Sequence, residues 1–181
     1  NIGPLDGPIP FSALEQEASI IDLINVVLAQ APGPSTEFSL NTAAIGTSLF
    51  AGSQNSLVAQ WTTGGDAVDL SAIRFDLSGN ADYSHIQNVK LFVNGSQFGL
   101  TVPQFSTSSG AIFTGAAARL LPGSSLQLFS DVTGSSGKSF RFDVAVPTLV
   151  FVTDPVSGSI IVPDLSNATG TLVNIVSGQL T

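Results

Sequence analysis

Short stretches of alternating apolar and polar residues recur from residue 35 onward, and Gly, Ser, Asn or Pro separates them. Alternation with a period of two places one set of side chains on a single face of a β-strand. Ile73, Phe75 and Leu77 form one such set. Because no long helical pattern lies between these stretches, the sequence predicts a mainly β fold over residues 35–181, an antiparallel sandwich or barrel.

The clearest turn signal is Asn94-Gly95, which lies between an alternating strand and a second strand over residues 96–102. Both central residues of a type I′ turn need a positive φ, which Asn and Gly accept. In the strand before the turn, Leu91 belongs to the apolar face and Phe92 to the opposite face. The sequence therefore predicts a β-hairpin here.

Residues 1–34 have a different pattern. Prolines and glycines in the first eleven residues favour an extended conformation. Ser12 and Glu15 then have the spacing of a capping box, in which each side chain satisfies a backbone N–H at the start of a helix. A helix is predicted over residues 13–30, ended by Pro32. We interpret residues 1–34 as a docking or assembly segment and residues 35–181 as the sandwich domain.

The second half of the predicted helix is apolar around most of its circumference, which is typical of a helix buried on several sides. It packs either under the sheet of its own domain or between subunits, and its β-branched residues also favour a strand. The run is too short and too polar to span a bilayer. The residues predicted to form an assembly contact here are Ile20, Ile21, Leu23, Ile24, Val27 and Leu28.

A second candidate assembly segment lies near the end of the chain. Residues 171–176 are apolar, with Leu172 and Ile175 as the predicted contact residues. No obvious hairpin mate lies close to them in the sequence. Such a strand could complete the sheet of a neighbouring subunit through main-chain hydrogen bonds.

The composition excludes some classes of partner. Only 10% of the residues are charged, against about 25% in an average soluble domain. Five basic residues against thirteen acidic ones give a net charge of −8. Nucleic acid and anionic membranes bind clustered Lys and Arg, so neither is an expected partner. A surface of uncharged polar residues suits extracellular β proteins and subunits of an assembly.

The sequence begins at Asn1 and contains no methionine. We therefore expect that a leader peptide has been removed and that the protein is extracellular or on the cell surface. Asn94 and Asn167 each begin an Asn-X-Ser/Thr triplet, which is compatible with glycosylation in that compartment.

Little in the sequence indicates catalysis. His85 is the only histidine, and the lack of cysteine excludes thiolate catalysis and cysteine-based zinc sites. No G-x-S-x-G nucleophile motif is present. Asp66 and Asp69 flank a turn and could ligate Ca²⁺, but aspartates in turns usually only form the turn. We expect a protein that is not an enzyme, with no catalytic residue, cofactor or resident metal.

Two further site hypotheses rest on single residues. Trp61 could form a sugar platform, but it alternates with apolar residues and is better explained as core. Lys90 or Lys138 could form an isopeptide bond with a carboxamide such as that of Asn174 if the lysine were buried beside a carboxylate.

Residues 56–146 resemble the immunoglobulin-like domains of bacterial and archaeal surface proteins. The order is a strand, a hairpin with a turn glycine, a short strand with a phenylalanine, a Pro-Gly-Ser turn and a strand that ends in Asp. The segments that carry it are residues 73–77, 85–95, 111–114 and 121–131. The resemblance implies a β-sandwich in a surface or filament protein and carries over no catalytic or binding residue.

These observations lead to one functional expectation and one alternative. The first is a structural subunit of an extracellular assembly, such as a pilus-like filament or a surface layer, that self-associates into a homo-oligomer by exchanging a strand or a terminal segment. The alternative is a monomeric secreted adhesin or carbohydrate-binding module that recognises a glycan or a host surface.

Overall fold

The computed structural model describes residues 36–106, 109–144 and 146–178. These residues form thirteen β-strands and two short 3-10 helices, at Tyr83–His85 and Pro147–Leu149, and no α-helix. The strands are β1 (Phe38–Thr42), β2 (Ser48–Phe50), β3 (Ser53–Gly65), β4 (Val68–Gly79), β5 (Ile86–Val93), β6 (Ser96–Val102), β7 (Ala111–Leu120), β8 (Ser125–Val132), β9 (Ser139–Asp143), β10 (Val150–Thr153), β11 (Ile160–Ile161), β12 (Asp164–Asn167) and β13 (Val173–Val176). The helix predicted over residues 13–30 lies outside the described residues.

The strands form two sheets that pack as a sandwich and do not close into a barrel. The first sheet has the order β12-β1-β3-β8-β5-β6. The second has the order β11-β10-β4-β9-β13-β2, and β7 also pairs with β4. The mainly β sandwich is confirmed.

The two sheets are mixed, so the prediction of antiparallel sheets was correct for most strand pairs and wrong for two. Strand β1 runs parallel to β12 in the first sheet, and β2 runs parallel to β13 in the second. Each parallel pair joins a strand near the start of the described chain to one near its end. Parallel neighbours need a long connection, so the short turns that mark hairpins in the sequence could not reveal these pairs.

The core between the sheets is built around Trp61. Its ring is fully buried and stacks on Phe75 with a centroid distance of 4.9 Å, and Phe113 lies edge-on to Phe75 at 6.0 Å. The indole Nε1 donates a 2.9 Å hydrogen bond to the backbone oxygen of Ala168. Because β3 carries Trp61 and β4 carries Phe75, this contact joins the two sheets. The prediction that Trp61 belongs to the core is confirmed.

The hairpin predicted at Asn94-Gly95 is also confirmed, because it connects β5 and β6 with φ angles of 49° and 82°. The Asn94 side chain anchors the turn, since its Oδ1 accepts from Ser125 N at 2.9 Å and its Nδ2 donates to Ser124 Oγ at 3.1 Å. The search for a helix long and apolar enough to cross a membrane found none in the described part of the chain.

Candidate assembly surface

The outward face of the second sheet carries a group of exposed apolar side chains on β7, β10, β11 and the residue after β11. The exposed fractions run from 50% to 78%. We call this group the aliphatic face, although it includes one aromatic ring. Its members are Ile112, Phe151, Ile160 and Val162.

Strand alternation explains why Phe151 points outward. Its neighbours Val150 and Val152 are both buried in the core, so the residue between them must face the solvent side. Ala72 lies opposite Phe151 on β4, and Thr114 lies opposite Ala72 on β7. Because these cross-strand neighbours are short, the phenylalanine ring stands above the surface around it.

Two shallow grooves lie beside the Phe151 ring, which lines both. One has a volume of about 270 Å³ and is lined also by Pro147, Ile160 and Val162. The other has a volume of about 240 Å³ and is lined also by Ile112. The surface therefore consists of a ridge between two mostly apolar grooves.

Ion pairs border the aliphatic face. Arg119 Nε lies 2.6 Å from Asp69 Oδ1, and Arg74 Nη2 lies 2.7 Å from Asp76 Oδ1. Both pairs are partly exposed, and the charges within each cancel. An apolar centre with a polar rim is the usual arrangement of a protein interface.

The first described residue lies close to the β10–β11 turn beside this face. The carboxylate of Asp154, in that turn, accepts hydrogen bonds from Ser157 N, from the Thr36 hydroxyl and from Val156 N. These bonds, the one from Ser157 above all, hold the pKa of Asp154 well below its ordinary value. The Thr36 side chain is therefore held at the β10–β11 turn.

The residues predicted to form assembly contacts divide into two groups. The positions between 20 and 28 lie outside the described residues. In β13, Ile175 is only 1% exposed, while Leu172, just before the strand, is 48% exposed. Strand β13 pairs with β9 on one edge and with β2 on the other. It therefore belongs to the core of its own chain. Both partner strands are far from β13 in the sequence, so the sequence pattern did not predict these pairs.

The aspartates considered for Ca²⁺ do not form a cluster. Asp66 accepts from the backbone N–H of Glu37 at 3.0 Å, and Asp69 pairs with Arg119. Across the described ranges, no group of three or more His, Cys, Asp or Glu side chains could hold a metal ion. Both aspartates thus have structural contacts.

His85 lies in the first 3-10 helix, with Nδ1 3.8 Å from a carboxylate oxygen of Asp82. Within the described residues this nitrogen is buried without a hydrogen-bond partner. A distance of 3.8 Å is too long for a hydrogen bond. The structure therefore places no oriented acid–base pair at His85.

The residues considered for an isopeptide bond are not brought together. Lys90 Nζ donates to Asn55 Oδ1 at 3.0 Å on the first sheet. Asn174 is exposed on the second sheet and its amide donates to the Thr47 carbonyl at 3.2 Å. Lys138 is half-buried beside β13, where its carbonyl accepts from Ile175 N. None of these groups forms the buried lysine–carboxylate arrangement that the reaction needs.

The two glycosylation triplets have different surroundings. The amide nitrogen of Asn94 donates to Ser124 Oγ, just before β8, and so ties the hairpin turn to the neighbouring strand. Asn167 ends β12 and is exposed, with only a long 3.4 Å contact from its amide nitrogen to Asn41 Oδ1. A glycan at Asn167 would thus disturb fewer contacts than one at Asn94.

Sequence reasoning missed the aliphatic face although a signal was present. The three consecutive apolar residues of β10 cannot all enter one core, because a strand presents alternate residues to opposite faces. One apolar residue in such a run must point outward.

No protein-family model matches this sequence. A search of curated proteins likewise found no match.

Proposed function

We propose that this protein is a non-catalytic structural subunit of an extracellular assembly, a pilus-like filament or a surface layer, whose copies associate through the aliphatic face. The observation that carries the proposal is the exposure of four large apolar side chains, Phe151 and three around it, on one outward sheet face. Contiguous exposed apolar patches mark interaction sites, because covering them removes apolar surface from water.

The shape of this face favours a second copy of the same chain as the occupant. A ridge beside a groove can be self-complementary, and we place the Phe151 ring of one copy in the groove that Phe151 and Ile160 line in the other. Two copies related by a two-fold axis make this contact twice. The neutralised ion pairs at the rim add no net repulsion between identical faces.

A two-fold contact closes after two copies, so a filament or layer needs a second contact. Three edge strands offer little for strand addition, because β11 has two residues, β2 has three and β12 has four. The edge strand β6 has a positive φ of 71° at Gly99, and such kinks discourage pairing at an edge. Since β13 is already paired on both edges, we assign the second contact to residues 1–34, with the apolar positions between 20 and 28 at its centre.

The compartment and the finer fold are part of the proposal. The two-sheet sandwich is compatible with the immunoglobulin-like resemblance of residues 56–146. A low charge content of 10% suits a subunit that buries much of its surface. These features support a place outside the cell.

The self-association is tested by Phe151→Asp, measured by light scattering after size exclusion and by negative-stain electron microscopy. We expect the wild-type protein to exceed the 18.5 kDa of one chain. A buried charge at the centre of the contact should cost about 2–4 kcal/mol, a roughly 30- to 1000-fold weaker association. Phe50→Asp is the matched control, because Phe50 is 58% exposed, close to the 52% of Phe151, but lines neither groove.

Two results would contradict this assignment. Association of Phe151→Asp at wild-type strength would exclude the aliphatic face. A wild-type monomer at high concentration would exclude self-association and favour the alternative, a monomeric adhesin or carbohydrate-binding module.

The role of the N-terminal segment is tested by deleting residues 1–34. We expect the deleted chain to keep the far-UV circular dichroism of a β protein, because the described core uses only later residues. It should form dimers but no larger species, because only the aliphatic face would remain as a contact between copies. Filaments or sheets formed by the deleted chain would refute the second contact and leave the first untouched.

A further inference from the structure

The outward face of the first sheet has a different chemistry from the aliphatic face. The strand register aligns one row of side chains across β3, β8, β5 and β6, and every residue in it faces away from the core. The row consists of Gln60, Gln127, Phe92 and Gln97. In the next row, Phe129 lies between Leu57 and Lys90.

Two aromatic rings are therefore held among carboxamides. Phe92 and Phe129 pack edge to face, with a centroid distance of 5.3 Å and an interplanar angle of 76°. Both are half-buried, so each keeps part of its ring open to solvent. They line a shallow depression of about 300 Å³ together with Asn55, Gly95 and Gln127.

The charged groups at this face are compensated by their neighbours. Lys90 Nζ donates to Asn55 Oδ1 at 3.0 Å. The carboxylate of Asp131 accepts from Asn88 Nδ2 and from Asn55 N, both at 2.7 Å. The Lys90 ammonium and the Asp131 carboxylate thus both hydrogen-bond Asn55 and lie close together. Because their charges are opposite, a ligand at this face meets a nearly neutral surface.

We propose that this face binds a neutral oligosaccharide. The C–H groups of a sugar ring carry slight positive charge and pack on the negative face of an aromatic ring, here Phe92 or Phe129. Carboxamides offer donors and acceptors side by side, as sugar hydroxyls do, and Gln97 and Gln127 stand beside the Phe92 ring. A contact between Gln127 Nε2 and Gln60 Oε1 at 3.4 Å holds part of this row in place.

The same chemistry argues against other ligands. A protein partner would favour a more apolar centre, as on the opposite side of the sandwich. A polyanion would need several uncompensated basic groups, and this face has only Lys90. The site is independent of the proposed assembly, because the two outward faces lie on opposite sheets and both can be occupied at once.

The test is affinity electrophoresis of the full chain in native gels that contain β-glucan, mannan, xylan or, as a charged comparison, alginate. We expect at least one neutral polysaccharide to retard the wild-type protein. Phe92→Ala should weaken that retardation by roughly 10-fold or more in apparent Kd. Phe151→Ala, on the opposite face, is the matched control. The polysaccharide should retard it as strongly as the wild type, when each protein is compared with its own mobility in a gel without polysaccharide.

Gln97→Ala provides a second variant if Phe92→Ala does not fold, because Gln97 is exposed on the edge strand and supports no core contact. Loss of the hydrogen bonds between Gln97 and the sugar hydroxyls should weaken polysaccharide binding by roughly 2- to 10-fold. The proposal is overturned if no neutral polysaccharide retards the wild type, if only alginate does, or if a folded Phe92→Ala binds with unchanged strength.

Discussion

We expect Trp61→Phe to lower the free energy of unfolding by about 2–5 kcal/mol, from two losses that the structure separates. The first is the buried hydrogen bond from Nε1 to the Ala168 oxygen, 2.9 Å long. Removing the donor from a buried carbonyl costs about 1–3 kcal/mol. The second is the space left by the smaller ring, which costs about 1–2 kcal/mol because a close-packed core relaxes only partly.

The assay is urea unfolding followed by far-UV circular dichroism, since the substitution removes the only tryptophan fluorescence signal. The slope of free energy against urea should stay the same, because the folded state remains compact, while the midpoint falls. Phe75→Leu is the control for packing without a hydrogen bond. Its ring stacks on the same indole, and its loss should be about 1–2 kcal/mol.

The comparison of these two variants decides the argument. A loss in Trp61→Phe no larger than that in Phe75→Leu would mean that the hydrogen bond to Ala168 contributes nothing measurable. The contact between Trp61 in β3 and Ala168, just after β12, would then stabilise the fold through packing alone.

Two further predictions concern the loops and the acid stability. Gly170→Ala should destabilise the sandwich by about 2 kcal/mol or more, because a Cβ there would overlap the Phe142 carbonyl oxygen. Gly178→Ala is the control and should change the urea midpoint little, because there is open space around that position. Equal midpoints for the two variants would refute this prediction. Hydrogen bonds from Asn88 and from Asn55 N lower the pKa of Asp131 in the folded state, so its contribution is present above the unfolded pKa of about 3.9 and is lost as the pH falls toward 2. Asp131→Asn should therefore reduce the drop in urea midpoint between pH 5 and pH 2.5, and an unchanged drop would contradict the assignment.

Local patterns in the sequence account for much of the fold. Alternation placed Phe75 and Trp61 inside, and the Asn94-Gly95 pair specified one hairpin, because both signals depend on residues close together in the chain. The parallel neighbours of β1 and β2 depend on strands more than 100 residues away. No pattern within a single strand encodes such a partner.

The same limit explains the prediction of Ile175 as an assembly contact residue. Its apolar character was read correctly, but an apolar strand without a near neighbour can be covered either by its own chain or by another. Here Phe140 and Ser48 lie opposite β13 and cover both of its edges. By contrast, the outward orientation of Phe92 and Phe151 could be predicted from the sequence, because each lies between two apolar residues that are buried.

The parallel pairs β1–β12 and β2–β13 have a mechanical consequence. Tension on the two ends of the described chain would load β1 first, from its N-terminal side, and β13 first, from its C-terminal side. Parallel strands loaded in this way slide along each other, so their inter-strand hydrogen bonds bear the load together and cannot open one after another. In the filament proposed above, a subunit stretched between its neighbours would therefore resist extension in shear.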